Sequence, residues 1–586
     1  MNIAKAGFAR VSTSLLFKNP AIKFWLAVSF LWPLYFGLIS LFYATSSEHI
    51  VQDDARLHVV WLQRLVDPDL FVRDAIAHYF TAIQPVGFQL FYRLFALVGI
   101  EPLTLAKFLP LLLALVTTGY CFWIALLLLP IPMSGVLTTL LLNQNIWIRD
   151  DLIAASPRSF VYPIFSAFLY YLLKDSKVGY LVALGLLGLF YPQMMLVALG
   201  ILTLRLVQWR GKRYWLPNKW PAYGVWLFAL ALTLGMLLTF SGQVENEVGQ
   251  LTSLAEMRDW PEFQLNGRGE YFGVSPLSFW FDGSSGLRFP LFPPIIGLGV
   301  LLPLVIRQGK FRAMFPLATH ITAQGGVLAQ LIASALGLFL LAHIIFPTLY
   351  LPSRYTFYSS RFVLILASGL MMTLVLQRWL MWLRCQWWRF GQWQVLDYLK
   401  VGVSGGFAIA VLVTPAVPFL FLGGQGWVVG ETPGLYREVA RLPKDAMIAS
   451  LVREVNDNIP AFSERSVLVG REFALPYHVA FYDEMRQRAV DLVNAQYSLE
   501  IAEVQSFVEK YGVDLWILSV DFLQPDYLSR QGWLVNSSMQ GAVVDAIATL
   551  ETDKPVALTT VIPICSVQTG SPNFIVLDAN CVMSSV

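Results

Sequence analysis

Gln84-Pro85-Val86-Gly87-Phe88-Gln89-Leu90-Phe91-Tyr92-Arg93-Leu94-Phe95 is apolar enough to pass for a membrane span, and the topology of the chain turns on refusing it. Arg93 stands in the middle of the segment. An arginine at the centre of a bilayer costs about 2.5–3.5 kcal/mol on insertion scales. Counting the segment as a span would also invert every later loop and move the basic clusters of the chain to the wrong side of the membrane. We therefore read 84–100 as a juxtamembrane helix lying in the interface.

The composition demands a membrane. Of 586 residues, 56% are hydrophobic and 13% charged, with a mean hydropathy of +0.59; a soluble chain carries about 25% charge. The net charge of +3 is too small to point to nucleic acid. Apolar stretches that can form membrane helices fall near 24–43, 106–129, 132–147, 159–173, 178–190, 193–207, 221–240, 289–306, 325–346, 361–383 and 401–422. Several are short, and Tyr191-Pro192-Gln193 marks a break between two of them.

Charge parity tests this list. Let the N-terminus lie in the cytoplasm and the chain cross once per span. Lys5, Arg10, Lys18 and Lys23 then fall inside, as do Lys174 and Lys177, and Arg205, Arg210, Lys212, Arg213 and Lys219. So do Arg307, Lys310 and Arg312, and Arg378, Arg384, Arg389 and Lys400. Loops 44–105, 148–158, 241–288 and 347–360 fall outside, with everything after 423. The N-terminus lacks a cleavage site and reads as a start-transfer helix. The expectation is a polytopic α-helical membrane protein of about eleven transmembrane helices, placed in a bacterial plasma membrane with its N-terminus cytoplasmic.

Beyond the last span the composition becomes that of a soluble domain. Ala446-Met447-Ile448-Ala449-Ser450, Ser466-Val467-Leu468-Val469-Gly470 and Val513-Asp514-Leu515-Trp516-Ile517-Leu518 read as buried strands. Tyr497 to Tyr511 and Gly541 to Glu551 read as amphipathic helices. A transmembrane domain at 1–423 is thus followed by an extracytoplasmic α/β domain at 424–586. The latter carries no phosphate-binding glycine loop and no nucleophile elbow, so it reads as a recognition or supporting domain. Cys565 and Cys581 share this region, and the sequence leaves their pairing open.

Chemistry concentrates where spans end on the outer side. Asp53 and Asp54 follow the first span, and Asp150 and Asp151 follow the third. The plain reading of the first pair is a solvated helix end or a local salt bridge with Arg56, and that of the second a polar loop with a helix cap. The functional reading is a general base that takes a proton from an attacking hydroxyl, a step that contributes about 10²–10⁴ in rate. A second acid beside the first raises one pKa or helps hold a divalent metal; no metal is assigned. Asp54 and His58 are four residues apart and share a face if helical, which favours Asp54 as the base. Arg149 and Arg158 flank the second pair, a mixture suited to an anionic donor and a hydroxyl acceptor. In Pro352-Ser353-Arg354-Tyr355, Arg354 offers a planar fork for phosphate, with Tyr355 beside it and Arg361 at the start of the next helix. The charged loop 241–288, with Glu245, Glu247, Glu256 and Glu262, reads as a solvated lid or acceptor contact, and the Trp/Phe run at 384–393 as an interfacial belt.

This plan resembles the GT-C superfamily of integral-membrane glycosyltransferases, which includes protein mannosyltransferases, aminoarabinose lipid A transferases and, more distantly, oligosaccharyltransferase catalytic subunits. The resemblance implies a first-loop acid at Asp53 or Asp54, a second-loop acid at Asp150 or Asp151, and a phosphate contact at Arg354. It also implies a polyisoprenyl-phosphate sugar donor among membrane lipids and an acceptor hydroxyl on a lipid, glycan or protein, joined by an inverting displacement. The Lys-Pro-Pro motif of some members is absent, with Gln84-Pro85 in its place, and no Trp-Trp-Asp motif occurs after 424, which argues against the oligosaccharyltransferase branch. A transporter or flippase would instead place its ionisable residues mid-membrane, often within inverted repeats. In a non-catalytic envelope assembly protein the acid pairs would be ordinary loop charges.

Overall fold

The structure, a computed structural model, describes residues 19–210, 213–215, 220–272, 275–387, 394–413, 417, 426–552, 554–568 and 571–585. The basic residues Lys5, Arg10, Lys18, Lys212 and Lys219 and most of the 384–393 run lie outside them.

The first helix, α1 (Pro20–Ala44), begins on an Asn19 cap whose side-chain oxygen accepts the Ala21 N–H at 2.9 Å, with Pro20 in the first turn. A short strand, β1 (Ile50–Gln52), and two short helices, α2 (Asp53–His58) and α3 (Ala75–Ala82), follow. Next come α4 (Val86–Ala96), α5 (Pro102–Leu128), α6 (Pro132–Ile146), α7 (Asp150–Ile153), α8 (Val161–Leu173), α9 (Lys177–Phe190), α10 (Pro192–Arg205) and α11 (Trp220–Val248). The bundle continues through α12 (Gly326–Ile344), α13 (Ser353–Trp387) and α14 (Val395–Val413). Five of the described helices are long and apolar enough to cross a membrane: those at Pro20–Ala44, Pro102–Leu128, Trp220–Val248, Ala323–Ile344 and Ser353–Arg384.

The segment 84–100 forms α4, eleven residues and so about 16 Å long, far short of the ~30 Å hydrocarbon layer. Phe88 and Tyr92 face inward, while Leu90, Arg93 and Leu94 stay exposed. Gly87 allows α4 to approach the end of α9: a Cβ at this position would lie 2.7 Å from the Leu189 carbonyl oxygen. The Tyr92 hydroxyl donates to the Ala155 carbonyl at 2.8 Å, tying α4 to the loop that follows α7.

Several boundaries depart from the sequence reading. Residues 347–360 are not all loop, because α13 starts at Ser353, directly after Pro352; Arg354 and Tyr355 therefore stand on its first turn. The stretch 289–306 is no continuous α-helix: Pro294–Leu301 is 3₁₀ and only Leu302–Arg307 is α, with Pro293, Pro294 and Pro303 each removing a backbone donor. Residues 221–240 continue as helix to Val248. The break at Tyr191 does occur, because Pro192 forces the residue before it out of the α region (Tyr191 φ −155°, ψ 84°).

After α14, β2 (Trp427–Val429) pairs antiparallel with β1. The C-terminal sheet contains β3 (Met447–Ser450), β4 (Ser466–Val467), β5 (Val513–Ser519), β6 (Ser566–Val567) and β7 (Phe574–Asp578), in the order β4-β3-β5-β7-β6. The pairs β4/β3 and β3/β5 are parallel, while β5/β7 and β7/β6 are antiparallel. Helices α15 (Val479–Tyr497), α16 (Ile501–Tyr511) and α17 (Gln540–Leu550) surround the sheet. The helix expected from Tyr497 begins only at Ile501, because Tyr497 closes α15 and Ser498 is extended. Cys565 and Cys581 are joined in a disulfide.

The first loop packs into this domain. Trp61, Tyr79 and Phe80 share its core, with Tyr79 stacked 3.7 Å from Phe481 and Trp61 edge-on to Phe473 at 5.4 Å. Nor is the 241–288 loop simply solvated. Glu262 is buried and accepts from the Tyr482 hydroxyl at 2.5 Å and from the Ser538 N–H at 2.7 Å, while Arg268 pairs with Glu472 at 2.8 Å.

Candidate active site

Two short helices carry the acids. The Gln52 side chain caps α2 by accepting the Ala55 N–H at 3.2 Å, which places Asp53 and Asp54 on the first turn, where a carboxylate is favoured. Asp150 and Asp151 hold the same position on α7. The start of the C-terminal segment lies between the two turns. The Asp53 N–H donates to the Gly426 carbonyl at 2.7 Å, and a Cβ on Gly426 would lie 2.8 Å from Gln52 Nε2 and 3.2 Å from Asp150 Cβ. Gly426 also has φ +84°, so both its conformation and its surroundings call for glycine.

Arg158 joins the two acid pairs. Its guanidinium is in contact with Asp54, and its Nη2 also lies 3.2 Å from Asp150 Oδ2. Nη1 lies 3.7 Å from Asp151 Oδ1. The second Asp151 oxygen receives Arg361 Nη1 at 2.9 Å and the Tyr162 hydroxyl at 3.3 Å. The Ser159 hydroxyl donates to the Asp151 carbonyl at 2.5 Å and fixes the turn. Asp53 pairs with Arg56, whose Nη1 donates to Asn458 Oδ1 at 2.7 Å.

Each pair has an inner and an outer member. The side chains of Asp54 and Asp151 are 15% and 2% exposed, whereas those of Asp53 and Asp150 are both 46% exposed. Burial pushes the Asp150 carboxyl above the usual carboxylate range, and the charges of Asp151 and Asp53 push it further against the pull of Arg354.

Arg354 reaches this cluster electrostatically from the first turn of α13, and its Nε is buried with no hydrogen-bond partner among the described residues. The Nε atoms of Arg158 and Arg361 are in the same condition. Buried donors left unmatched by protein call for an acceptor from elsewhere, and three guanidinium groups suit an anion.

Other predicted residues lie differently. His58 is half-buried, its ring 6.3 Å from that of Phe80, and loss of hydration, helped by the charge of Arg354, lowers its pKa to about 4. Among the described residues no contact joins His58 to Asp54, whose carboxylate goes to Arg158 instead. The Tyr355 hydroxyl is engaged by the Leu349 carbonyl at 2.8 Å. Arg361 lies deep beneath Asp151, stacked 4.4 Å from the Phe357 ring. Among the described residues no three His, Cys, Asp or Glu side chains gather as a metal-binding group.

Two residues missed by the sequence reading border the cluster. Tyr191 packs 5.5 Å from the Tyr358 ring; its only signal in sequence was the proline after it. Arg288 lies 5.3 Å over the buried Phe357 ring, and nothing in its local sequence distinguishes it.

No protein-family model and no curated protein matches the chain. Solved structures do. The Archaeoglobus fulgidus oligosaccharyltransferase, tethered to an acceptor peptide containing the NVT sequon, is 11% identical, with 91% of this chain and 72% of that one covered and a TM-score of 0.51. The chain has the GT-C fold. Another structure of the A. fulgidus enzyme, AglB with an inhibitory peptide and a dolichol-phosphate, is 11% identical over 89% of this chain and 72% of that one, with a TM-score of 0.49. ArnT from Cupriavidus metallidurans, bound to undecaprenyl phosphate, is 14% identical over 97% of this chain and 98% of that one, with a TM-score of 0.45. Within this GT-C fold, α2 and α7 bring the two acid pairs onto one arginine.

Proposed function

We propose that this protein is a glycosyltransferase that moves a sugar from a polyisoprenyl-phosphate donor to an acceptor hydroxyl, with inversion, at the outer face of a bacterial plasma membrane. The observation that carries the reading is Arg158, which holds Asp54 and Asp150 together beside the unmatched guanidinium donors of Arg354 and Arg361. The transmembrane part, 1–423, supplies the site, and 424–586 supports it from outside.

In this mechanism Asp150, accessible and made more basic by partial burial and by the charge of Asp151, takes the proton of the acceptor hydroxyl. The hydroxyl oxygen attacks the anomeric carbon from the face opposite the phosphate. The carbon–oxygen bond to phosphate breaks, and the polyisoprenyl phosphate leaves with the electron pair. Arg354 and Arg158 stabilise the charge gained by the leaving group. Asp53, equally exposed, orients the acceptor across the cleft, while Asp54 and Asp151 hold Arg158 in place.

The test uses the full-length protein in nanodiscs with a radiolabelled polyisoprenyl-phosphate sugar and envelope extract as the source of acceptor. Release of polyisoprenyl phosphate should fall in Asp150→Asn and in Arg354→Ala. Full activity in Asp150→Asn would sink the proposed base, and no sugar transfer by the wild type from any such donor would sink the enzyme reading.

A further inference from the structure

The segment 275–292 lies beside the acid cluster and outside the five long apolar helices, yet it is rich in exposed apolar side chains. The short helix Pro276–Phe281 has no buried residue. Leu277 is 72% exposed, and Trp280, Phe281, Phe289 and Leu291 are exposed as well. A patch of this kind marks an interaction surface.

Its anchorage shows what it faces. Trp280 packs 5.1 Å from the His343 ring and 6.2 Å from Phe339, both near the end of the membrane-crossing helix α12. Beside them, Leu340, Leu341 and Ile344 of α12 are also exposed, so the lipid-facing surface of the bundle runs into the patch. The segment then leads directly into the apolar stretch Pro294–Arg307. It is also held firmly. The Ser353 N–H donates to the Ser284 carbonyl at 3.2 Å, and His343 Nε2 lies 3.0 Å from the Ser285 carbonyl. Arg288, exposed between Leu287 and Phe289, lies over the Phe357 ring, on which Arg361, the partner of Asp151, also stacks.

We infer that 275–292 is a membrane-dipping element, a monotopic surface seated on the bilayer at the end of the bundle that carries the acids. Leu277, Phe281 and Leu291 lie at the boundary between acyl chains and headgroups, Trp280 sits at the belt depth that indole prefers, and Arg288 lies at the level of the lipid phosphates. The occupant is bulk lipid. The element sets the depth of the neighbouring site, so that any phosphate-linked lipid reaching Arg354 stays within its own leaflet.

Spin labels test this without reference to activity. Leu277→Cys and Leu291→Cys are made separately in the full chain, with Cys121 and Cys385 replaced by alanine and the Cys565–Cys581 disulfide retained. Collision with oxygen, which partitions into lipid, is compared with collision with a water-soluble nickel chelate, in phosphatidylglycerol/phosphatidylethanolamine nanodiscs. Leu238→Cys, on an exposed face of α11, is the lipid reference, and Val544→Cys, exposed on α17, is the water reference. The expected oxygen-to-nickel ratio at both test positions lies nearer the Leu238 value. A ratio nearer the Val544 value overturns the inference. So does weak collision with both reagents, the signature of a protein partner covering the patch.

Discussion

Arg361 Nη1 lies 2.9 Å from Asp151 Oδ2, and both side chains are almost wholly withdrawn from solvent. A pair this deep is a poor source of net stability but a costly one to break, because the surviving charge has no water to turn to. Arg361→Met should therefore destabilise the protein by about 3–5 kcal/mol. Combining it with Asp151→Asn should recover a large part of that loss. Thermal unfolding of the single and double variants in detergent decides between this and a merely additive effect.

Asp150 differs from its neighbour in being accessible. Asp150→Asn should abolish transfer, by about 10²–10⁴ in kcat, while leaving the melting temperature nearly unchanged. A base works when ionised, and the Asp150 carboxyl is pushed up by burial and by the charge of Asp151. The acid limb of the activity profile should therefore lie above the ordinary carboxylate range. Asp53→Asn removes one of the like charges and should move that limb to lower pH; a pH–rate profile of the two proteins is the check.

Asp457 titrates near neutrality. Burial first, and then the charge of Glu472, push its carboxyl up to about 7, against the pull of Arg56 and Arg453. The folded protein thus holds a proton that the unfolded chain releases near pH 4. The stability from this group is fully present below pH 4 and is lost as pH rises through about 7. Asp457→Asn keeps an oxygen for the Glu472 N–H and should flatten that dependence, giving a higher melting temperature than wild type at pH 8.

His58 should prove dispensable for proton transfer. Its imidazole, lowered to about 4, stays neutral at working pH and does not contact Asp54. His58→Gln should leave the shape of the pH–rate profile unchanged, with any loss appearing in stability. A displaced acid limb in this variant would restore His58 to the proton path.

Much of the architecture could be read from residue order, because hydrocarbon thickness and charge asymmetry act on contiguous segments. Arg93 within 84–95 was enough to keep α4 out of the membrane count, and Tyr191-Pro192 marked a real helix break. The acids were visible too, as carboxylates at the ends of apolar runs. Local spacing misled at His58: a helical face shared with Asp54 says nothing about a third group from elsewhere, and Arg158 had the stronger claim on that carboxylate.

Which acid is inner and which outer, that one guanidinium spans both pairs, and that Gly426 passes between their helices depend on segments about 100 to 370 residues apart in sequence being folded together. Sequence alone determined that this chain lives in a membrane and which charges stand near the ends of its apolar runs, because burial of apolar surface is a property of each segment. Only tertiary structure decided how Asp53, Asp54, Asp150 and Asp151 divide between buried and exposed positions, because exposure and pairing belong to the packed whole.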